Sequence, residues 1–220
     1  MKLGVIIPTR GDRPELFEHC MYLLSQQIRQ PDEIAIIKYP PKGSRPDITQ
    51  RYRTGFDILK NKVDVIAPFE DDDWYSRGYL KRMLKVWERH LKHSQTNLLG
   101  VNQHIVYHIV DRKYGTLRHE RKAPMSNTLI NVKAPVRWPE DDYVLTDVHI
   151  WNALKGVTVS FPKPISISIK HGTGLTCTPT HKGSWMHYLY QDPEMKYLKS
   201  LVDKKSFEFY RDYSFKRNAA

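Results

Sequence analysis

Hydrophobic positions along the chain alternate between two periods. Leu3-Gly-Val-Ile-Ile-Pro8 is a continuous β-branched run, the pattern of a strand buried on both faces of a parallel sheet. A polar loop at residues 9–13 follows. Pro14 then suits a helix first turn and Glu15 its dipole. Leu16, Cys20 and Leu24 give that helix one apolar face. Pro31 and Asp32 break it, and residues 33–37 (Glu-Ile-Ala-Ile-Ile) read as a second strand. Beyond a Pro/Gly-rich loop at 39–46, the residues Ile48, Tyr52, Phe56 and Leu59 mark a second helix. Residues 63–69 form a third strand, with Pro68 expected at its end because proline cannot donate to a central ladder. Leu80, Leu84, Trp87 and Leu91 mark a third helix. Strands alternating with helices over short links predict a parallel sheet with right-handed crossovers.

The second half reads differently. Residues 101–110, a turn at Lys113-Tyr114-Gly115 and a run from Leu117 onward predict an antiparallel hairpin. Residues 127–132 suggest a further strand, 146–154 a helix closed by Gly156, and 157–161 and 165–169 two more strands. From Trp185 the chain is basic, aromatic and helical in pattern. No repeat or low-complexity linker divides it. The expected fold is α/β: a Rossmann-like, mostly parallel sheet flanked by helices, with an antiparallel hairpin and a small second sheet in the C-terminal half.

The length of 220 residues suits one such domain, and 40% hydrophobic residues suffice for a core. The two cysteines, Cys20 and Cys177, make no disulfide framework or metal knuckle, so a cytoplasmic setting is expected. The apolar run at residues 3–7 is too short for a secretory segment, and no stretch approaches the ~18 residues of a spanning helix. A net charge of +11 is compatible with nucleic acid, an anionic membrane or phosphorylated substrates. The basic clusters at 118–122 and 204–205 are mild and carry no RNA-binding or helix-turn-helix signature, so no nucleic-acid partner is expected.

Residues 70–73 (Glu-Asp-Asp-Asp) change the picture. They follow a buried strand, at the edge where open α/β sheets bind ligands. Adjacent carboxylates disfavour one another's ionisation, and a cation removes that cost. All-oxygen donors suit Mg²⁺ or Mn²⁺, which bind through one or two carboxylates plus substrate phosphates. The competing explanation is a helix cap, with Asp73 at the N-cap.

With these elements the chain resembles the GT-A-fold glycosyltransferases, in particular glycosyltransferase family 2. That family's first strand ends in a V-I-I-P-T phrase, matched by Val5-Ile-Ile-Pro-Thr9. Its Asp-x-Asp motif often reads D-x-D-D before an aromatic. Glu70-Asp71-Asp72-Asp73-Trp74 matches with Glu in the first acidic place, so the pair is Glu70/Asp72 or Asp71/Asp73. The resemblance implies Asp71, Asp72 and Asp73 as metal ligands, with Asp72 principal. The family also places a catalytic base at the start of a helix, in a phrase like E-D-x-x-L-x-x-R. Thr146-Asp147-Val-His-Ile-Trp151 fits with Thr for Glu, and Glu140-Asp141-Asp142 offers rival carboxylates. Gly156, Pro162 and His171 then follow in the family's order, which implies His171 as a further metal ligand. The likeness covers residues 3–172, with 101–136 matched only in outline.

The resemblance implies inverting transfer from a nucleotide-diphosphate sugar, UDP being the commonest donor, to a hydroxyl of a glycan, glycoprotein or glycolipid. Residues 1–100 would bind the donor, 101–182 the acceptor, and 183–220 would form a basic helical tail able to touch a membrane or partner enzyme. Asp147 is the expected base, with Asp142 and Asp141 as alternatives, although an aspartate there also suits a helix cap. Pro8, Thr9 and Arg10 end the first strand near the base or ribose, and Lys38 ends the second. Arg51 and Arg53 sit where the family carries an arginine facing the nucleotide, unless both belong to a solvated helix face. Trp138 suits a sugar platform or the core. Thr173 and Gly174 follow His171 in a flexible stretch suited to closing over the donor. Trp185, His187, Tyr188 and Tyr190 are candidates for an acceptor or partner surface.

Two other functions compete. A sugar-phosphate nucleotidyltransferase would use similar carboxylates, but Thr9-Arg-Gly-Asp-Arg13 holds one glycine rather than a Gly-rich phosphate loop. A non-enzymatic basic module would explain the charge and leave the acidic cluster unexplained.

Overall fold

The computed structural model describes residues 1–39, 46–91, 96–172 and 190–218. Three strand–helix units open the chain: β1 (Leu3–Thr9), α1 (Pro14–Ser25), β2 (Glu33–Lys38), α2 (Ile48–Leu59), β3 (Val65–Pro68) and, after a two-residue strand β4 (Trp74–Tyr75), α3 (Tyr79–Leu91). The apolar run of β1 is buried along its whole length, as its continuous hydrophobicity requires. Pro14 occupies the first turn of α1, and α1 buries Leu16, Cys20, Leu23 and Leu24. Pro68 ends β3.

The chain continues through β5 (Leu98–Val101), β6 (Gln103–His108), β7 (Lys113–Arg118), a 3-10 turn (Met125–Asn127), β8 (Thr128–Asn131), α4 (Thr146–Ala153), β9 (Gly156–Val159) and β10 (Ser166–Lys170). A short β11 (Tyr190–Gln191), α5 (Lys196–Leu201) and α6 (Lys204–Asn218) complete the described elements. The first sheet has the order β2-β1-β3-β8-β5-β9. In it β8 runs against its neighbours β3 and β5, while the other strands share one direction. The second sheet has the order β11-β7-β6-β10-β4.

Several sequence expectations need correction. The hairpin is β6–β7, but its turn lies at residues 109–112, where Arg112 adopts a φ of 52°, and Lys113-Tyr114-Gly115 lie inside β7. The apolar stretch 101–110 is two strands in two sheets, split at Asn102, whose N–H reaches the Val159 carbonyl at 3.0 Å. The polar residues Asn102, Gln103 and His104 mark that crossing in the sequence. Gly156 opens β9 rather than closing α4.

The C-terminal segment is part of the core. Met195, Leu198, Tyr210 and Tyr213 pack with Leu16 and Leu23 of α1 and with Ile105, Ile167 and Ile169 of the second sheet. Asp192 ties it down, accepting the Tyr107 hydroxyl at 2.8 Å and the Leu198 N–H at 3.1 Å. Cys177, Thr173, Gly174, Trp185, His187 and Tyr188 lie outside the described residues. No described helix is long and apolar enough to cross a membrane.

Candidate active site

The carboxyl ends of β1, β2 and β3 meet at one edge of the first sheet, and residues 70–73 turn there between β3 and β4. Each carboxylate has its own surroundings. Glu70 accepts the Tyr52 hydroxyl at 2.7 Å. Asp71 Oδ1 accepts from Arg13 at 2.7 Å, while its Oδ2 is buried with no hydrogen-bond partner. Asp72 Oδ2 accepts from Arg13 at 2.9 Å and lies 3.1 Å from His171 Nε2. Asp73 reaches across to β10, accepting the Ile169 N–H at 3.0 Å and the Ser168 hydroxyl at 3.4 Å. The helix-cap explanation fails for Asp73: α3 does not begin until Tyr79, and the Asp73 carboxylate is committed to β10.

These surroundings divide the charge unevenly. Burial, reinforced by the charge of Asp72, pushes the Glu70 carboxyl up to about 6. Burial and Asp72 likewise push Asp71 up to about 6 against the pull of Arg13. Burial, Glu70 and Asp72 raise Asp73. Burial acts against ionised Asp72 too, but the Arg13 guanidinium and His171 outweigh it and hold that carboxyl well below the usual range. One ionised carboxylate thus sits among three that resist ionisation, which is the electrostatic setting a cation relieves.

The donor set fits a hard divalent ion. Glu70, Asp72 and Asp73 each offer an oxygen, and these atoms lie within 4.8 Å of one another. Asp71, the remaining acid of the run, is not among these three and keeps a buried Oδ2 without a hydrogen-bond partner. Oxygen donors of this kind suit Mg²⁺ or Mn²⁺. His171 is fully buried just past β10 and touches the cluster through Asp72.

The remaining expected site residues divide into groups. Pro8 and Thr9 are buried at the end of β1, and Arg10 pairs with Asp12 at 3.1 Å. The Lys38 side chain crosses Gly11, whose φ of +76° needs a glycine, and its ammonium lies 5.6 Å from the Phe17 ring. Arg51 is buried, not solvated. It donates to the carbonyls of Thr9, Ile37 and Tyr39 and to both oxygens of Asp47. Arg53 is half-buried and pairs with Asp141 at 2.7 Å, while Asp142 is exposed. Trp138 packs edge-on against Phe56, centroids 5.7 Å apart, as part of the core wall. Tyr190 is exposed in β11 and stacks on Tyr114.

Asp147 lies in the first turn of α4, whose N-cap is Leu145. Burial pushes its carboxyl up, opposed by backbone N–H groups of that turn and by Lys122 and His119. Its charge raises Glu70 and Tyr52, the smallest of the influences on each. Thr49 of α2 holds the helix entrance, donating to the Tyr143 carbonyl at 2.7 Å and meeting the Thr146 hydroxyl at 2.5 Å.

Arg13 and Tyr52 escaped the sequence reading. Tyr52 reads as a core position of α2, and only the fold aims its hydroxyl at Glu70. Arg13 carried a usable signal, because it lies in the loop leaving β1, on the edge where ligands bind.

No family model and no curated protein matches the chain. Solved structures do. Residues 1–349 of Staphylococcus aureus TarS in complex with UDP match with a TM-score of 0.56 and 10% identity, over 78% of this chain and 61% of that one. The same fragment in complex with UDP-GlcNAc gives 0.53 and 10%, over 82% and 62%. A further TarS structure gives 0.51 and 9%, over 78% and 37%. This chain has a GT-A-like fold. It spans about three fifths of the TarS fragment it matches. In the GT-A-like frame, the acidic cluster sits at the carboxyl edge of β3, and Asp147 lies in the first turn of α4.

Proposed function

We propose that the chain is a metal-dependent glycosyltransferase, moving a sugar from a UDP-sugar to a hydroxyl of a glycan, glycoprotein or glycolipid with inversion. The observation that carries this reading is the buried carboxylate cluster at the sheet's carboxyl edge, with a partly buried aspartate at a helix start whose charge reaches Glu70. The solved GT-A neighbours bound to UDP and UDP-GlcNAc support a nucleotide-sugar donor.

Glu70, Asp72 and Asp73 would hold Mn²⁺ or Mg²⁺, with Asp71 and His171 adjoining. The ion, when bound, supplies Lewis-acid neutralisation of the leaving diphosphate. Pro8, Thr9, Arg10 and Lys38 border the base and ribose. Arg51 supports them from beneath by tying the ends of β1 and β2 together. Arg53 positions the rim of the cleft through Asp141.

Asp147 is the base. As the acceptor oxygen attacks the anomeric carbon, the hydroxyl proton passes to the Asp147 carboxylate and the bond to the diphosphate breaks on the opposite face. A carboxyl raised by burial holds that proton more strongly than a solvated one. Asp147→Asn is expected to bind UDP normally and to lose turnover by about 10²–10⁴-fold, measured as UDP release from a UDP-sugar with acceptor. An active Asp147→Asn beside an inactive Asp142→Asn would move the base to Asp142.

A further inference from the structure

Arg13 stands immediately before α1, and its guanidinium is the cation already seated in the acidic cluster. Nη2 reaches Asp71 Oδ1 at 2.7 Å, while Nη1 reaches Asp72 Oδ2 at 2.9 Å and His171 Nε2 at 2.8 Å. A guanidinium has no lone pair, so the Asp72 oxygen accepts from Nη1, and the imidazole tautomer sets the direction of the His171 Nε2 contacts. Asp72 Oδ2 and His171 Nε2 lie 3.1 Å apart. The Asp72 lone pair that would turn to a divalent ion is therefore turned to Arg13, and Nη1 also lies against His171 Nε2. The side chain is 15% exposed, so its charge is poorly screened by water. A divalent ion on Asp72 and His171 and the Arg13 guanidinium would be like charges at contact distance, and one excludes the other.

We propose that Arg13 is a positioning residue that competes with the divalent cation for Asp72 and His171, and so makes cation binding depend on the nucleotide. This rests on the metal-dependent transferase reading above. Leaving the cluster requires the guanidinium to find other anionic oxygens. Asp12, 3.8 Å from Arg13 Nε, is one neighbour, but it is exposed and already pairs with Arg10. A nucleotide diphosphate entering at the carboxyl ends of β1 and β3 brings several oxygens matched to the guanidinium fork. The cation alone must displace Arg13 unaided, whereas the cation with a diphosphate exchanges one set of ion pairs for another. The coupling is reciprocal, so each ligand tightens the other by the same factor.

The test is Mn²⁺ binding to the full chain, followed by the loss of the free-ion EPR signal, with and without UDP. Wild type is expected to bind Mn²⁺ alone weakly and to gain about tenfold or more in affinity when UDP is present. Arg13→Gln is expected to bind Mn²⁺ alone about tenfold tighter than wild type, with the UDP-dependent gain reduced by a similar factor. Arg13→Lys keeps the charge and loses the fork, and should fall between the two; it decides the matter if Arg13→Gln does not fold. Variants that bind Mn²⁺ alone no tighter than a wild type showing the UDP-dependent gain would overturn the Arg13 proposal and leave the transferase reading intact. A wild type that binds no Mn²⁺ even with UDP overturns both.

Discussion

Arg51 brings a full charge to a position only 1% exposed, where the guanidinium satisfies three backbone carbonyls and Asp47 and stacks 3.8 Å over the Tyr39 ring. Its role follows from those partners: it clamps the ends of β1 and β2, the floor of the proposed donor site. Arg51→Ala would strand the carbonyls and leave the Asp47 carboxylate without its buried partner. The expected cost is about 3–5 kcal/mol, read from urea unfolding. A cost below about 1 kcal/mol would place Arg51 among weakly coupled surface charges. Nothing local marks Arg51 as buried and Arg53 as only half-buried. Two arginines two residues apart face opposite sides of a helix, and only the packing of α2 on β1 decides which side is inside. The residues of the acidic cluster were legible because their chemistry is dense and follows a buried strand. Their partners Arg13 and Tyr52 were not, because contacts spanning 59 and 18 residues of chain leave no local pattern.

At the scale of elements, the placement of α4 decides where Asp147 stands. The helix is seated by Trp151, whose indole N–H donates to Thr128 at 3.1 Å and whose ring lies against Gly100 of β5 and Gly156 of β9. A Cβ on Gly100 would come within 2.5 Å of that ring and 2.4 Å of the Ala123 side chain. Gly100→Ala is therefore expected to overpack the seat and destabilise the protein by about 1–3 kcal/mol. It should also slow turnover while UDP affinity holds, because α4 shifts and the strand ends do not. Equal stability to wild type in a urea titration would show that Trp151 does not seat the helix. The alternating strands and helices of the first half were readable because each keeps one period. The second half was harder. β4 spans two residues, too few to show a period, and the change of sheet within 101–110 is marked only by the short polar run Asn102-Gln103-His104, which a single strand edge could also carry.

Across the whole molecule, charge sets the pH response. Glu70 and Asp71, raised to about 6, and Asp73, raised as well, hold protons that the unfolded chain releases near pH 4. The folded state therefore binds more protons between about pH 4 and 6, and their contribution to stability falls as pH rises through that window. Buried His19, lowered to about 4, acts in the opposite sense: the unfolded chain takes up its proton first, so stability falls as pH drops below about 6.5. A difference measurement separates the two. Relative to wild type, Asp71→Asn is expected to gain melting temperature between pH 5 and 7 in EDTA, because wild type alone must ionise that buried carboxyl. A constant difference would mean that Asp71 is not raised.

The measurement closest to the central claim is a thermal-shift panel of UDP, GDP and dTDP, each with and without Mn²⁺, on wild type and Asp72→Asn. A ligand at about 100 times its Kd adds roughly 2.7 kcal/mol of stability. The expected result is that UDP with Mn²⁺ stabilises wild type, that UDP alone does so less, and that Asp72→Asn loses the metal-dependent gain. If no nucleotide shifts the melting temperature under any condition, the cluster binds no nucleotide-held cation and the glycosyltransferase account is wrong.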